Sequence, residues 1–223
     1  MSKVRQMDVE FAREKMVGQQ VRAWDVLDGA VLDVLASVPR ERFVPERYRQ
    51  LAFADAPIPL GHGEMMMTPP IEGRMLQALA LQPDDQVLEV GTGSGFITAC
   101  LGRLAASVHS IEIHPALAEQ AQVRLARQAV NNASVVVGDA STLNVALPRF
   151  NAICVTGSMP VLDPSFQACL KVGGRLFAVV GEGPAMQALL VTRIDVAAFA
   201  TESLFETVLA PLHNARRALA FAL

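Results

Sequence analysis

Short apolar runs alternate with amphipathic stretches along the second half of the chain. Five runs are nearly continuous in apolar residues, as strands are in a parallel sheet covered on both faces. They are Gln86–Val90, Ser107–Ile113, Ser134–Val137, Asn151–Thr156 and Arg175–Val180. Helical patterns lie between them at Phe96–Leu104, Ala116–Ala129 and Ser165–Leu170. The alternation predicts an α/β fold with a doubly wound, mostly parallel sheet.

The second helical pattern and the end of the chain refine this prediction. Leu117, Ala121, Leu125 and Ala129 recur every four residues and indicate one buried face of a helix. Two further strand-like runs follow the sheet, and no helical pattern separates them. They are Ala188–Ile194 and Ser203–Leu209. These runs predict a hairpin added at the edge of the sheet.

The first third of the chain has a different pattern. Residues 7–37 predict two helices, and Ile71–Leu81 predicts a helix directly before the first strand. Residues 52–70 are rich in proline and glycine and predict a long irregular segment, which is uncommon in a compact domain unless it is functional. We therefore expect residues 1–70 to form N-terminal helices and a substrate loop, packed on an α/β domain of residues 71–223 as one compact unit.

Composition and charge restrict the class of protein. The chain has 223 residues, of which 52% are hydrophobic, so a large core is expected. No apolar run reaches the roughly 20 residues of a membrane helix, and the N-terminus lacks the apolar region of a secretory signal. The formal net charge of −3 gives no overall attraction to nucleic acid. We expect a soluble, cytoplasmic protein without a membrane or nucleic-acid partner.

The cysteines give no sign of a metal site. Cys100, Cys154 and Cys169 are odd in number and lie in apolar surroundings, which is typical of reduced thiols in a core. The paired cysteine and histidine spacing of a zinc site does not occur. The sequence therefore predicts no metal ligands.

The strongest local signal is the turn that follows the first strand of the sheet. Val87–Phe96 reads VLEVGTGSGF, and Gly91, Gly93 and Gly95 allow a ligand to approach the main chain. A dinucleotide loop would have glycine where this chain has Phe96, and the Gly-Lys-Ser/Thr of a Walker loop is absent. The loop lies at the carboxyl end of a strand, where open α/β sheets bind ligands. A tight turn without a ligand is the alternative interpretation.

Acidic residues at the ends of the next two strands favour a nucleoside ligand. Glu112 ends the second strand about 20 residues after the glycine loop, where a carboxylate can accept both ribose hydroxyls. Asp139 follows the third strand and is positioned to accept from an adenine amino group, with turn capping as the alternative. Three strand ends thus offer groups for the parts of an adenosine ligand.

These segments resemble the motif set of class I methyltransferases, which have a Rossmann-like sheet. The matching segments are Leu88–Phe96, Ile111–Ile113, Gly138–Ala140 and Leu170–Leu176. The resemblance implies S-adenosyl-L-methionine as cofactor. It implies that the glycine loop holds the methionine part, that Glu112 holds the ribose, that Asp139 meets the adenine, and that Glu89 lies near the amino group. The implied cofactor-binding residues are Glu89, Gly91, Thr92, Gly93, Ser94, Gly95, Glu112, Ile113, Asp139 and Ala140.

The N-terminal half resembles one methyltransferase family in particular. The matching segments are Met16–Arg22, Val38–Pro45, Ala54–Gly63 and Thr68–Ile71. They are similar to segments of protein-L-isoaspartate O-methyltransferases, and the resemblance extends from about residue 10 to residue 212. It implies repair of damaged proteins by methylation of the α-carboxylate of isoaspartyl residues. The implied partner is a protein or peptide that contains such a residue.

The chain departs from this family in the substrate loop. The family carries glutamine followed by Thr-Ile-Ser or a similar tripeptide, whose serine positions the substrate. In register, Glu64 replaces the glutamine, Met65 the threonine and Met67 the serine, and the first hydroxyl is that of Thr68. Met67 and Thr68 are therefore the predicted catalytic positions. A carboxylate at Glu64 would repel an anionic substrate unless it is paired or protonated.

Three functions stay open at this point. The first is isoaspartyl O-methylation, and the second is methylation of a small apolar molecule or another carboxylic acid, which the methionine triplet favours. The third is a cofactor-binding regulator with weak or no catalysis. Nucleic-acid amino methylation is disfavoured because the chain reads VTGSMP at Val155–Pro160 instead of Asn/Asp-Pro-Pro-aromatic. The sequence does not determine the oligomeric state.

Overall fold

The computed structural model describes residues 9–142 and 149–217. Helix α1 (Val9–Lys15) continues into a π-helical turn at Met16–Val21 and a 3₁₀ turn at Arg22–Trp24. Helix α2 (Gly29–Ser37) begins at an aspartate cap, since the Asp28 side chain accepts from the main-chain N–H groups of Ala30 and Val31. The two predicted helices are thus present from Val9 onward, and the first of them has three segments of different pitch; residues 7 and 8 of the prediction lie outside the described residues.

The proline and glycine content predicted an irregular segment at residues 52–70. The structure shows that part of this segment is regular. It contains a two-stranded antiparallel hairpin of β1 (Ile58–Gly61) and β2 (Glu64–Met66). His62 and Gly63 form its turn with φ of 56° and 86°. Proline is compatible with a strand of such a ribbon because each strand has a free edge, where a missing N–H costs no ladder hydrogen bond. The prediction of an irregular segment was therefore wrong for Ile58–Gly61 and Glu64–Met66, where strand pairing overrides the composition of the segment.

The central sheet has seven strands in the order β5-β4-β3-β6-β7-β8-β9. The elements that follow the hairpin are α3 (Pro69–Leu79), β3 (Gln86–Val90), α4 (Phe96–Leu104), β4 (Ser107–Glu112), α5 (Pro115–Arg127), β5 (Ala133–Val137), β6 (Phe150–Met159), α6 (Pro164–Ala168), β7 (Leu170–Glu182), β8 (Ala185–Asp195) and β9 (Ala198–Thr207). The pairs among β3 to β7 are parallel, and β8 and β9 add antiparallel strands at one edge. The predicted doubly wound sheet with an edge hairpin is confirmed.

Two predicted helix ends differ from the structure. The helix predicted at Ser165–Leu170 is the short α6, and Leu170 already belongs to β7. Helix α5 ends at Arg127, so Ala129 is exposed and has a φ of 54°. The four-residue spacing of apolar residues continues to Ala129, beyond the end of the helix, and therefore gives no signal for that end.

Alternation along the strands divides the core into two buried clusters, one on each face of the sheet. Val87 and Val108 pack with the N-terminal helices, α3 and α4. Leu88, Val90 and Ile111 face the opposite cluster. Among the residues described, no helix combines the length and apolar character needed to cross a bilayer.

Candidate functional site

A cavity of about 470 Å³ lies at the carboxyl ends of β3, β4, β5 and β6. This volume is in the range of small-molecule sites in proteins. One wall consists of the loops that follow these strands. The opposite wall consists of the hairpin β1–β2, the start of α3, and the C-terminal segment of residues 208–216.

The glycine loop exposes its main chain to this cavity. Gly91, Gly93 and Gly95 have φ of 91°, 51° and 85°, a region that L side chains rarely adopt. A Cβ atom at Gly91 would lie 2.4 Å from the hydroxyl oxygen of Thr156. A Cβ atom at Gly93 would lie 3.1 Å from a methyl carbon of Leu60. Glycine at these positions therefore keeps the cradle open.

Glu112 connects the end of β4 to the glycine loop. Its side chain is buried, and its Oε2 accepts from the main-chain N–H of Gly93 at 2.8 Å. Its Oε1 accepts from the main-chain N–H of His114 at 3.0 Å. A carboxylate has about four lone-pair positions, so both oxygens can still accept from a ligand. Glu112 is thus a fixed anionic acceptor, and Ile113 lines the cavity beside it.

Asp139 lines the cavity beyond the end of β5, next to Ala140. Its Oδ1 accepts from the main-chain N–H of Ser141 at 2.8 Å, and its Oδ2 accepts from the side-chain amide of Asn214 at 2.7 Å. Desolvation acts to raise the pKa of Asp139, but these hydrogen bonds outweigh it and lower the pKa below its usual value. Asp139 therefore caps its turn, which is the alternative role considered from the sequence. It also retains lone pairs for a further donor.

Glu89 lies on the opposite face of β3 from Val90 and is not among the residues that line the cavity. Its Oε2 accepts from the hydroxyls of Thr98 at 2.6 Å and Ser110 at 2.5 Å. Its Oε1 is buried and has no hydrogen-bond partner among the residues that the structure describes. Burial raises the pKa of Glu89 to about 7, although the two hydroxyls oppose this shift. One oxygen of this acid therefore has unused acceptor capacity beneath the glycine loop.

The methionine triplet forms the wall that faces the strand ends. Met65, Met66, Met67 and Thr68 all line the cavity. Met66 and Met67 are buried, whereas Met65 is 39% exposed. Thr68 precedes α3 at the N-cap position, but within the described part of the chain its side chain makes no capping hydrogen bond. Its hydroxyl is the polar group that this short stretch offers to a ligand.

A buried arginine fixes the main chain of this wall. The guanidinium of Arg40 donates to the carbonyl oxygens of Met67 and Ala52, both at 2.8 Å. It also pairs with the buried carboxylate of Glu72 and lies over the ring of Phe96 at 4.9 Å. Burial raises the pKa of Glu72, and the charge of Arg40 opposes this shift. The ion pair with Glu72 keeps the buried Arg40 in place, because removing either partner would leave an unpaired buried charge. Arg40 in turn holds the main chain of Met67 through its hydrogen bond.

The remaining part of this wall comes from the end of the chain. Ser158 on β6 donates its main-chain N–H to Ala210 and accepts from the N–H of Leu212, both at 2.8 Å. Beyond this bridge, His213 contacts Glu64 with 2.9 Å between its Nε2 and the Oε1 of Glu64. The last strand predicted from the sequence ends at Leu209, and the sequence indicates no role for the residues that follow. No motif or spacing marks them, because they form a loop without periodicity.

Most of the predicted site residues lie together. The cavity is lined by Gly91, Thr92, Gly93, Ser94, Glu112, Ile113, Asp139, Ala140, Met67 and Thr68. Gly95 and Glu89 are outside the lining. Gly95 is the N-cap of α4, where an added Cβ would lie 3.2 Å from the Cβ of Ala121. Its glycine therefore serves the packing of α4 against α5.

Comparison with known proteins identifies relatives along nearly the whole chain. The family model of protein-L-isoaspartate(D-aspartate) O-methyltransferase (PCMT) matches residues 12–217. Protein-L-isoaspartate O-methyltransferase 1 of Rhodopseudomonas palustris (strain HaA2) is 40% identical over 201 residues, which are 90% of this chain and 82% of that protein. Protein-L-isoaspartate O-methyltransferase of Koribacter versatilis is 41% identical over 181 residues, 81% of each chain.

A solved structure has the same fold. The PCMT of Plasmodium falciparum, in complex with S-adenosyl-L-homocysteine, aligns with a TM-score of 0.78 and 18% identity. The alignment covers 90% of this chain and 97% of that one. The two chains therefore share one fold along nearly their whole length.

Proposed function

Because the chain belongs to the protein-L-isoaspartate(D-aspartate) O-methyltransferase family, we propose that it methylates isoaspartyl carboxylates with S-adenosyl-L-methionine as cofactor. The observation that carries the proposal is one cavity in which the glycine cradle and Glu112 face the methionine wall of the hairpin. The partner would be a damaged protein or peptide. The three cysteines are free and buried, which fits the cytoplasmic location that we propose.

The residues present fit this cofactor. The glycine cradle offers main-chain N–H groups and no side chains, and Glu112 offers two oxygens with spare lone pairs for ribose hydroxyls. Asp139 offers an acceptor for an adenine amino group. Glu89 has an unpartnered oxygen under the loop and would attract the ammonium of the methionine part. Bound S-adenosyl-L-methionine would supply an electrophilic methyl group on its sulfonium.

On the acceptor side, the chain would mainly position the substrate and exclude water. The substrate carboxylate is ionised at neutral pH and is itself the nucleophile, so no general base is needed. Holding its oxygen in line with the methyl group supplies most of the rate in such a reaction. Met66 and Met67 would keep the meeting point dry, and the Thr68 hydroxyl would donate to the carboxylate. The roles of Met67 and Thr68 are part of this proposal.

The pairing of Glu64 changes the expected electrostatics of the hairpin. Its Oε1 lies 2.9 Å from His213 Nε2 and 3.4 Å from His114 Nε2. A carboxylate held by two imidazoles repels a nearby anion less than an unpaired one, because the partners carry compensating N–H dipoles or charge. The Glu64 carboxylate is therefore compatible with an anionic substrate.

A second function has one observation in its favour. Met65 and Met67 line the cavity at the two positions where the family loop carries hydroxyls, and Met66 lines it between them. Thioether groups adapt to apolar molecules. A small apolar or carboxylic-acid acceptor is therefore the alternative substrate. A third function, cofactor binding with little catalysis, shares the same cradle and differs only in turnover.

Radiolabel transfer separates these functions. We would incubate the protein with labelled S-adenosyl-L-methionine and an isoaspartyl peptide, its aspartyl counterpart, or a set of small carboxylic acids. The proposal expects labelling of the isoaspartyl peptide alone, at a modest rate. Labelling only of small acids would favour the second function. Tight cofactor binding without transfer to any acceptor would favour the third.

A further inference from the structure

Three of the four histidines of the chain gather around one carboxylate beside the cavity. The rings of His62 and His114 stack with centroids 4.7 Å apart and planes 17° from parallel. The rings of His114 and His213 meet edge to face at 5.0 Å. Glu64 contacts both His114 and His213 through the same oxygen. His62 and Glu64 belong to the hairpin β1–β2, His114 to the loop after β4, and His213 to the C-terminal segment.

The donor atoms of Glu64, His114 and His213 have nearly the spacing of metal ligands. All three lie within 4.8 Å of one another, and Glu64 Oε1 is 2.9 and 3.4 Å from the two Nε2 atoms. Around a tetrahedral Zn²⁺, bond lengths of about 2.0–2.2 Å put neighbouring donors roughly 3.3 Å apart. The side chain of His213 is 47% exposed, so its ring can adjust to close the remaining separation.

The donor set also restricts the metal. Two imidazoles and one carboxylate suit Zn²⁺ and related transition metals, whereas Ca²⁺ and Mg²⁺ require more oxygen ligands. The side chains of His114 and Glu64 are 20% and 26% exposed, so an ion can enter from solvent and keep a water molecule. The stacked ring of His62 limits rotation of His114 and prepares its orientation.

We propose that Glu64, His114 and His213 form a binding site for a divalent transition-metal ion of the Zn²⁺ class. The ion would join the substrate hairpin, the loop that follows Glu112, and the C-terminal segment, which otherwise meet through a few side-chain contacts. We call the wall formed by the hairpin β1–β2, the start of α3 and residues 208–216 the acceptor wall. Since Glu64 and His213 line the cavity, the bound ion would hold this wall closed. The spacing along the sequence predicts no such site, because its ligands are 50 and 99 residues apart in the chain.

The site is tested on the protein alone, without cofactor or substrate. We would titrate chelator-treated protein with Zn²⁺ in a calorimeter and record the visible absorption of the Co²⁺ form. We expect one Zn²⁺ per chain. Glu64→Gln, His114→Asn and His213→Asn should each weaken binding at least about 100-fold, because even outer partners of metal ligands contribute 10- to 100-fold. His109→Asn is the matched control, since His109 lies on β4 beside Ser134 and Phe150.

Several results would overturn the site. One is a Zn²⁺ affinity of the wild type no greater than that of a variant that combines Glu64→Gln, His114→Asn and His213→Asn. Another is an effect of His109→Asn as large as that of His213→Asn. Because His213 is exposed, its substitution leaves the core intact, and circular dichroism checks the fold of each variant. The proposed clamp, by which the bound ion holds the C-terminal segment against the hairpin, has a separate readout. It is the protection of residues 209–217 from hydrogen exchange on addition of Zn²⁺. Binding without protection in the wild type would refute the clamp, and equal protection in His213→Asn would refute the assignment of the ligands.

Discussion

The two walls of the cavity are built in different ways. The cofactor wall consists of loops that each follow a strand of one parallel sheet, and Glu112 connects two of them through main-chain N–H groups. The acceptor wall joins a hairpin near residue 60 to a C-terminal segment near residue 210. The hairpin and the C-terminal segment meet through the side chains of Glu64 and His213. The side chain of Asn214 joins the C-terminal segment to Asp139 of the cofactor wall.

This difference has a consequence for substitution. The sheet holds the cofactor wall in one arrangement, so a change there acts directly on ligand binding. The acceptor wall depends on a few polar contacts and on adaptable thioether side chains, so its chemistry can change while the cradle stays the same. We expect changes in the first wall to alter cofactor affinity, and changes in the second to alter the choice and rate of acceptor.

The largest expected effect is at Gly93. Gly93→Val would place a branched side chain at φ 51°, within reach of Leu60 and in the space of the ligand. We expect cofactor affinity to fall more than 100-fold by calorimetry, because the cradle loses its open main chain. Gly18→Ala is the control, since no atom of the described residues lies within 4 Å of a Cβ atom there. Unchanged affinity in a folded Gly93→Val protein would remove the cradle from the proposed site.

The next effect is at the strand ends. Glu112→Ala should weaken cofactor binding by roughly 100-fold, from charged hydrogen bonds of about 1.5–3 kcal/mol each with partial compensation by water. Asp139→Ala should cost less, because Asp139 would accept from one adenine amino group whereas Glu112 would accept from two ribose hydroxyls. Glu119→Ala on the exposed face of α5 is the control. If Glu112→Ala binds like the wild type, the nucleoside lies elsewhere.

A smaller effect is expected at the acceptor wall. Met65→Thr with Met67→Ser returns two hydroxyls and leaves the contacts of Glu64 intact. The rate on isoaspartyl peptide should rise about 10-fold, the lower limit for a hydrogen bond to a charged group, while cofactor affinity stays within a few-fold. Met66→Leu, which keeps an apolar side chain on the same hairpin, should change neither quantity. A stable double variant with no gain would mean that the acceptor pocket differs beyond these residues.

The smallest effect concerns Glu89 and pH. Its pKa is raised from 4.5 to about 7 by burial, so the folded protein holds a proton more tightly than the unfolded chain. The stabilisation is complete below pH 4.5 and is lost as the pH rises through about 7. Glu89→Gln removes this titration, so the Tm of the variant minus that of the wild type should increase by a few degrees between pH 5 and pH 8. A difference that is the same at both pH values would show that Glu89 does not titrate in this range.

The sequence alone determined the sheet and the cofactor wall, because both depend on local patterns. Strand β3 has its predicted bounds, and the glycine loop and Glu112 line the cavity because a residue at the end of a parallel strand must lie at that edge of the sheet. Strand lengths were less predictable. Strand β6 extends to Met159 and β7 begins at Leu170, since pairing with neighbours continues where the apolar pattern ends.

Only the tertiary structure decided the acceptor wall. The hairpin β1–β2 lies in a segment whose prolines and glycines predicted irregular structure, and the sequence offers no pattern for residues 210–216. The contacts of Glu64 with His114 and His213 join positions that no spacing relates. Glu89 shows the same limit, because packing pairs one of its oxygens with Thr98 and Ser110 and leaves the residue outside the cavity lining. Local periodicity specifies which face a side chain takes, whereas long-range packing determines what it meets there.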